Sequence, residues 1–170
     1  PETALDRVRA LLGAGLLGYF QRTHESAVEV LERARDEAFR LGDDEGAGWA
    51  LQGLGRILLD RRDRRDHEAS MAFLRQSIEC FGRCGNVRGI GYSTFFLGSV
   101  VSFAGGTGPD VERHFDEADR TFQMLGDIWG LVGVAVVRAW HAALNRDAPA
   151  AARHFGQQLE GSVAIDSPWM

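Results

Sequence analysis

The chain has 170 residues and a formal net charge of −5; 45% of its residues are apolar and 25% are charged, a globular composition that excludes wholesale disorder. The acidic balance argues against a nucleic-acid-binding module, which carries a basic face, and no apolar run reaches the roughly 18 residues of a membrane span. Two cysteines are too few for a disulfide scaffold and favour a reducing compartment, so we expect a cytoplasmic protein.

Apolar residues recur at helical spacing along most of the chain, and no segment alternates as a strand does. In chain order, the pattern predicts about eight helices, near 3–20, 24–41, 45–60, 67–84, 88–104, 110–125, 129–145 and 148–160. Paired in sequence, they form four antiparallel hairpins near 3–41, 45–84, 88–125 and 129–160. We expect one repeat domain over 1–160, with 161–170 as a tail or a link to a following module, and the chain itself to be part of a longer protein.

A five-residue motif occurs three times and consists of Gly, Asp or Asn, two variable residues and Gly. Its copies are Gly42–Gly46, Gly85–Gly89 and Gly126–Gly130, so the repeat unit is 43 residues and then 41 residues long. The first glycine suits the end of a helix, where a left-handed backbone is favoured. The Asp or Asn that follows suits the cap of the next helix. The motif therefore predicts a repeating helix–turn–helix unit.

The helices that precede the motif share one buried face. Their apolar or small residues are three or four positions apart, which places each set on one side of a helix. The matching sets are Leu31, Ala34, Ala38 and Leu41; Leu74, Ser77, Phe81 and Cys84; and Phe115, Ala118, Phe122 and Leu125. In the helices that follow the motif, Gly55 and Gly98 occupy equivalent positions of two repeat copies. We expect these two, and Gly13 in the first helix, to permit close helix–helix approach.

This unit resembles a tetratricopeptide repeat, in a longer form similar to the C-terminal helical arrays of bacterial signalling-ATPase regulators of the large ATP-binding LuxR type and the SARP type. The resemblance rests on Phe39–Ala47, echoed by Phe122–Asp127, and covers about 4–158. It implies an all-α, right-handed α-solenoid whose first helices line a concave groove. In that family the array is a sensor or a protein-contact platform. The last copy departs from the pattern at Arg138, where the earlier copies have leucine.

The resemblance implies which side chains point into the groove. Carried over in the register of Gly55 and Gly98, they are Trp49, Gln52, Arg56, Tyr92, Phe95 and Ser99, with Trp140 and His141 as candidates from the last hairpin. Aromatic and arginine side chains are enriched at binding hot spots. The planar guanidinium of Arg56 suits a carboxylate or a phosphate. The alternative is that the aromatic residues only pack between hairpins.

Recognised catalytic and metal-binding patterns are missing from the sequence. The glycine-rich loop Gly105–Gly108 lacks the lysine of a phosphate-binding loop, because the chain has no lysine. Cys80 and Cys84 have no second pair with which to hold zinc, and we expect Cys84 to lie in the core. No histidine pair has the spacing of a zinc hydrolase. We therefore expect no catalytic residue, no metal and no cofactor, and a protein that is not an enzyme.

The leading hypothesis is a non-catalytic interaction or sensor domain of a bacterial transcriptional or signalling regulator. It would bind a peptide or protein segment, or neighbouring domains of the same regulator, in the concave groove. A small-molecule effector site and a structural spacer between catalytic and DNA-binding domains are the alternatives. We expect no direct nucleic-acid or membrane partner. Because the end hairpins lack neighbours, a homodimer formed through an array end is a further hypothesis.

Overall fold

A computed structural model describes residues 3–61, 64–106 and 108–164 of the chain. Within these ranges the protein is all-α, as predicted, with eight helices and no strand. The helices are α1 (Ala4–Phe20), α2 (His24–Leu41), α3 (Asp44–Arg61), α4 (Arg64–Cys84), α5 (Val87–Phe103), α6 (Pro109–Leu125), α7 (Ile128–Leu144) and α8 (Ala148–Ala164). The last helix continues to Ala164, into the predicted tail, and 165–170 lie outside the described residues. None of the described helices combines the length and the apolar character that a membrane crossing requires.

Helix contacts divide the eight helices into two sets. Each helix packs against the next one in sequence, from α1 on α2 to α7 on α8. The odd-numbered helices also contact one another, α1 with α3, α3 with α5, and α5 with α7. In the described parts of the chain, no even-numbered helix contacts another even-numbered helix. The odd-numbered helices therefore form one shared layer, and this layer carries the cavity described below.

The recurring motif forms the turn that the sequence predicts. Its first glycines are left-handed, with φ values of 70°, 72° and 63° at Gly42, Gly85 and Gly126. The next residue caps the following helix in each copy, because its side-chain oxygen accepts a hydrogen bond from the backbone N–H of the motif's last glycine. The N···O distances are 2.9 Å at Asp43, 2.8 Å at Asn86 and 3.1 Å at Asp127. One short motif thus ends one helix and begins the next.

The predicted buried faces pack in the core, except at their last position. The first three residues of each set are at most 3% exposed. At the fourth position Leu41 is half-buried, and Cys84 and Leu125 are exposed. The prediction that Cys84 lies in the core is therefore wrong. Cys84 is the last residue of α4 and its thiol faces the carbonyl oxygen of Phe81 on the same helix, so Cys80, one turn earlier, takes the buried position.

Two fully buried phenylalanine rings each fill the space beside two helix glycines. A Cβ atom at Gly48 of α3 or at Gly89 of α5 would lie 2.7 Å or 2.6 Å from the ring of Phe81. One repeat later, Phe122 has the same relation to Gly130 and, less closely, to Gly91. Large rings of the even-numbered helices therefore occupy the space beside glycines of the odd-numbered helices.

The expected close approaches at Gly55 and Gly98 are also present. Added Cβ atoms there would lie 2.8 Å from Leu74 and 3.0 Å from the Phe115 ring. The expectation for Gly13 is wrong, because no other helix in the described ranges comes within 4 Å of its Cβ position. Gly15 takes the close-approach position instead, 2.5 Å from the Leu31 side chain, because Gly15 and not Gly13 faces α2.

Candidate functional site

A cavity of about 870 Å³ lies along the layer of odd-numbered helices. All of its lining residues but Leu31 come from α1, α3, α5 and α7, and most of them are apolar. The cavity crosses the layer obliquely. It borders Leu12 to Phe20 near the end of α1, and Trp129 to Val137 near the beginning of α7. Four helices that are distant in sequence therefore supply one continuous apolar surface.

Five of the eight residues predicted for the groove line this cavity, namely Trp49, Gln52, Arg56, Tyr92 and Phe95. Packing against the core holds the two larger rings. Trp49 meets the edge of Phe81, with centroids 4.9 Å apart, and Tyr92 lies 4.8 Å from Phe122. These rings therefore pack against the core and also border the cavity. Their part in binding stays a prediction.

Gln52 is held by a buried chain of hydrogen bonds. Its amide nitrogen donates to the Ser93 hydroxyl at 3.2 Å, and the Ser93 and Ser77 hydroxyls are 2.9 Å apart. Ser77 in turn donates to the carbonyl oxygen of Gly48 at 2.8 Å. This chain ties α3, α4 and α5 together beneath the cavity floor. Gln52 is therefore a fixed polar group, only 8% exposed, within an apolar lining.

Arg56 lies among three aromatic rings. Its guanidinium carbon is 4.2 Å from the ring centroid of Tyr19, 5.1 Å from that of Phe96 and 5.4 Å from that of Phe20, within the range of cation–π attraction. Burial raises the pKa of the Tyr19 hydroxyl, and the adjacent Arg56 charge offsets part of that rise. The three rings therefore surround the guanidinium on several sides. A guanidinium has several N–H donors in a planar fork, more than one neighbouring hydroxyl can accept.

Tyr92 is fixed at its hydroxyl end as well. The hydroxyl donates to the carboxylate of Asp127, 3.3 Å from each oxygen, and Arg88 pairs with the same carboxylate at 3.3 Å. Burial and the Asp127 charge raise the pKa of Tyr92 to about 12. Because Asp127 also caps α7, the tyrosine at the cavity is joined directly to the turn motif.

The other three predicted residues do not reach the cavity. Ser99 and Trp140 match Arg56 in the repeat, but the oblique cavity has already left α5 and α7 at that level. The Ser99 hydroxyl donates to the carbonyl oxygen of Phe95 on its own helix, and Trp140 is 53% exposed and meets the edge of Phe155. His141 matches the fully buried Ile57 one position further along α3, so it points inward.

His141 belongs to a separate polar cavity of about 490 Å³ between α6, α7 and α8. Its Nδ1 is 2.7 Å from the Ser102 hydroxyl and its Nε2 is 3.1 Å from the amide nitrogen of Asn145. That amide nitrogen also donates to the carbonyl oxygen of His141, which fixes it as the donor to Nε2. Nδ1 is then the donor to Ser102, so one ring nitrogen joins α7 to α5 and the other bonds within the C-terminal end of α7.

The sequence prediction missed the contributions of α1 and α7 to the cavity. The missed aromatic residues are Tyr19, Phe20, Phe96 and Trp129. In α1, Leu12, Leu16 and Tyr19 follow helical spacing, so the sequence does carry a signal for this face. Trp129 occupies a variable position of the turn motif, where no pattern marks it.

Few polar side chains line the cavity. Its charged members among the described residues are Arg56 and Asp60, and its remaining polar side chains are those of Gln52, Tyr19 and Tyr92. Across the described ranges, no three His, Cys, Asp or Glu side chains come together as metal ligands would. No protein-family model and no curated protein sequence matches the chain, so the chemistry of this cavity is argued from its own residues.

Proposed function

We propose that this chain is a non-catalytic ligand-binding module whose odd-numbered helices take up a small, largely apolar organic molecule. The observation that carries the proposal is the cavity of about 870 Å³ with an apolar lining and a few fixed polar groups. Drug-sized ligands occupy cavities of roughly 300–1,000 Å³ with this kind of lining. An effector site, the alternative to peptide capture in the sequence-based hypothesis, therefore becomes the better supported function.

The proposed architecture is a right-handed, tetratricopeptide-like solenoid of four hairpins in one domain. The contacts between successive odd-numbered helices support it, because an inner layer that touches along its length is what a curved array requires. The resemblance of Phe39–Ala47 to the arrays of bacterial regulators supports a sensor role within a larger cytoplasmic protein. Association of two copies through an array end stays a prediction, and it would cover the exposed Leu144, Leu159 and Val163.

The proposal is tested with a neutral apolar dye, 1-N-phenylnaphthylamine, which fluoresces strongly in an apolar environment. Gly13 borders the cavity, and no atom lies within 4 Å of its Cβ position, so Gly13→Phe places a ring in the cavity without a clash at the helix. Gly156 of α8 is an exposed helix glycine with the same open surroundings but lies outside the cavity. Gly156→Phe is therefore the matched control.

Wild type and Gly156→Phe are expected to bind the dye saturably, and Gly13→Phe at least fivefold more weakly. Far-ultraviolet circular dichroism checks that all three proteins are folded. Equal dye binding by the three proteins would place the dye on an exposed apolar surface and overturn the proposal. So would the absence of saturable binding to wild type, which would leave a structural spacer as the better interpretation.

A peptide or protein segment is the second candidate occupant. It is favoured by the rim of the cavity, where Leu16, Phe20 and Trp129 are 50%, 64% and 58% exposed. A rim of this kind offers more apolar surface than an enclosed small molecule covers. A random 15-residue peptide array probed with labelled wild type and with Gly13→Phe tests it. Peptides retained by wild type and lost with Gly13→Phe would favour this candidate.

A further inference from the structure

The charges at the cavity are placed unevenly. The guanidinium of Arg56 lies inside an aromatic cluster formed by Tyr19, Phe20 and Phe96. Asp60, one helical turn further along α3, is exposed to solvent. Among the described residues, no carboxylate lies within 4 Å of the Arg56 nitrogens. Arg56 is therefore the charged group nearer to the apolar interior.

Arg138 differs from Arg56 because its guanidinium is paired with carboxylates. Arg138 has a similarly enclosed side chain over the ring of Phe115, and it pairs with Glu112, Asp116 and Asp119. Arg56 lies beside three aromatic rings, and no ion pair joins it to a described carboxylate. Pairing with an anion stabilises an enclosed guanidinium strongly. The charge-assisted bidentate hydrogen bonds are short, and water screens them weakly.

We propose that the ligand of this cavity is an amphipathic carboxylate, with its apolar body among the odd-numbered helices and its carboxylate on the edge of Arg56. The inference rests on the proposed function and specifies the chemical class of the ligand. The aromatic cluster keeps the guanidinium at the cavity wall, so the anion meets a cation whose rotamer is already restricted. The neighbouring Asp60 charge opposes the same anion and weakens its binding.

The test uses two fluorescent probes that differ in charge alone, 11-(dansylamino)undecanoic acid and its primary amide. Both are titrated into wild type, Arg56→Gln and Arg75→Gln. Arg75 is an exposed arginine of α4 that lies outside the cavity, so its variant carries the same change in net charge. Wild type and Arg75→Gln are expected to bind the acid at least tenfold more tightly than the amide.

In Arg56→Gln the preference for the acid is expected to fall below threefold while the affinity for the amide changes little. Asp60→Asn is expected to tighten binding of the acid twofold to fivefold without affecting the amide. Equal binding of acid and amide by wild type, or an unchanged preference in Arg56→Gln, would overturn the carboxylate assignment but leave a ligand-binding cavity. Binding of neither probe would instead count against the proposed function itself.

Discussion

Gly89 provides the sharpest test of how the hairpins pack. A Cβ atom at this position would lie 2.6 Å from two atoms of the Phe81 ring, whereas favourable carbon–carbon contacts are about 3.5–4.0 Å long. The ring has little room to move, because it is fully buried and also packs closely against Gly48 and the Trp49 ring. Gly89→Ala must therefore displace either the ring or a helix.

Two opposing effects determine how much the free energy of unfolding falls in Gly89→Ala. Overpacking a well-filled core costs about 1–3 kcal/mol, and replacing a helix glycine by alanine returns at most about 1 kcal/mol. Because the ring is fully buried and closely packed, we expect Gly89→Ala to lower the free energy of unfolding by about 1–2 kcal/mol. For a chain of this size that corresponds to a fall in Tm of roughly 3–6 °C. Urea and thermal unfolding followed by circular dichroism measure both quantities.

Two further variants isolate the cause. Gly156→Ala, at an exposed helix position with no atom within 4 Å of the added Cβ, should raise stability by about 0.5–1 kcal/mol. Phe81→Leu should relieve the clash, so the double variant should lose at least about 0.5 kcal/mol less than the sum of the single losses. If Gly89→Ala is as stable as wild type, or if the two alanine variants shift stability in the same direction, the account of the close approach is refuted.

Three other predictions concern polar groups. Ser77→Ala should cost about 1–2 kcal/mol in urea unfolding, because it removes the buried hydroxyl that bonds to Gly48 and Ser93; a neutral result would contradict this. Arg138→Gln should cost roughly 1.5–3 kcal/mol and cost less in 1 M NaCl than at low salt, since its three carboxylate partners are partly exposed; a salt-independent loss would be inconsistent with ion pairing. Absorbance at 295 nm should show one of the two tyrosines ionising near pH 12, and Tyr92→Phe should remove that step. Because the folded state raises this pKa, the stability that neutral Tyr92 contributes is complete below pH 10 and is lost as the pH rises through about 12.

The helices and their turns follow from local chemistry, which is why the sequence predicts them closely. A left-handed Gly85 and a capping Asn86 act within one turn of the chain, and so does the spacing that buries Leu74 and Phe81. The cavity depends instead on how the odd-numbered helices pack against one another. Arg56 lines the cavity and its repeat equivalent Trp140 does not, although their places in the repeat are the same.

Side chains shared between core and cavity limit the prediction in a second way. From spacing alone, Trp49 and Tyr92 suit either packing or binding, and the structure uses them for packing on one side and for lining the cavity on the other. The role of Tyr19 is harder to predict, because it depends on a contact between two helices. The Tyr19 ring centroid on α1 lies 4.2 Å from the guanidinium carbon of Arg56 on α3. A pair of this kind forms only once α1 and α3 are docked.

Glycines of the odd-numbered helices explain both the tight core and the open cavity. At Gly48, Gly89 and Gly130 the missing side chain is replaced by a phenylalanine ring from an even-numbered helix, so the glycine is required by packing. At Gly13 nothing replaces it. A helix glycine in open space lowers stability by roughly 0.5–1 kcal/mol relative to alanine, and the fold gains no contact in return. The space that Gly13 leaves borders the cavity, so the proposed ligand would pack against bare helix backbone there.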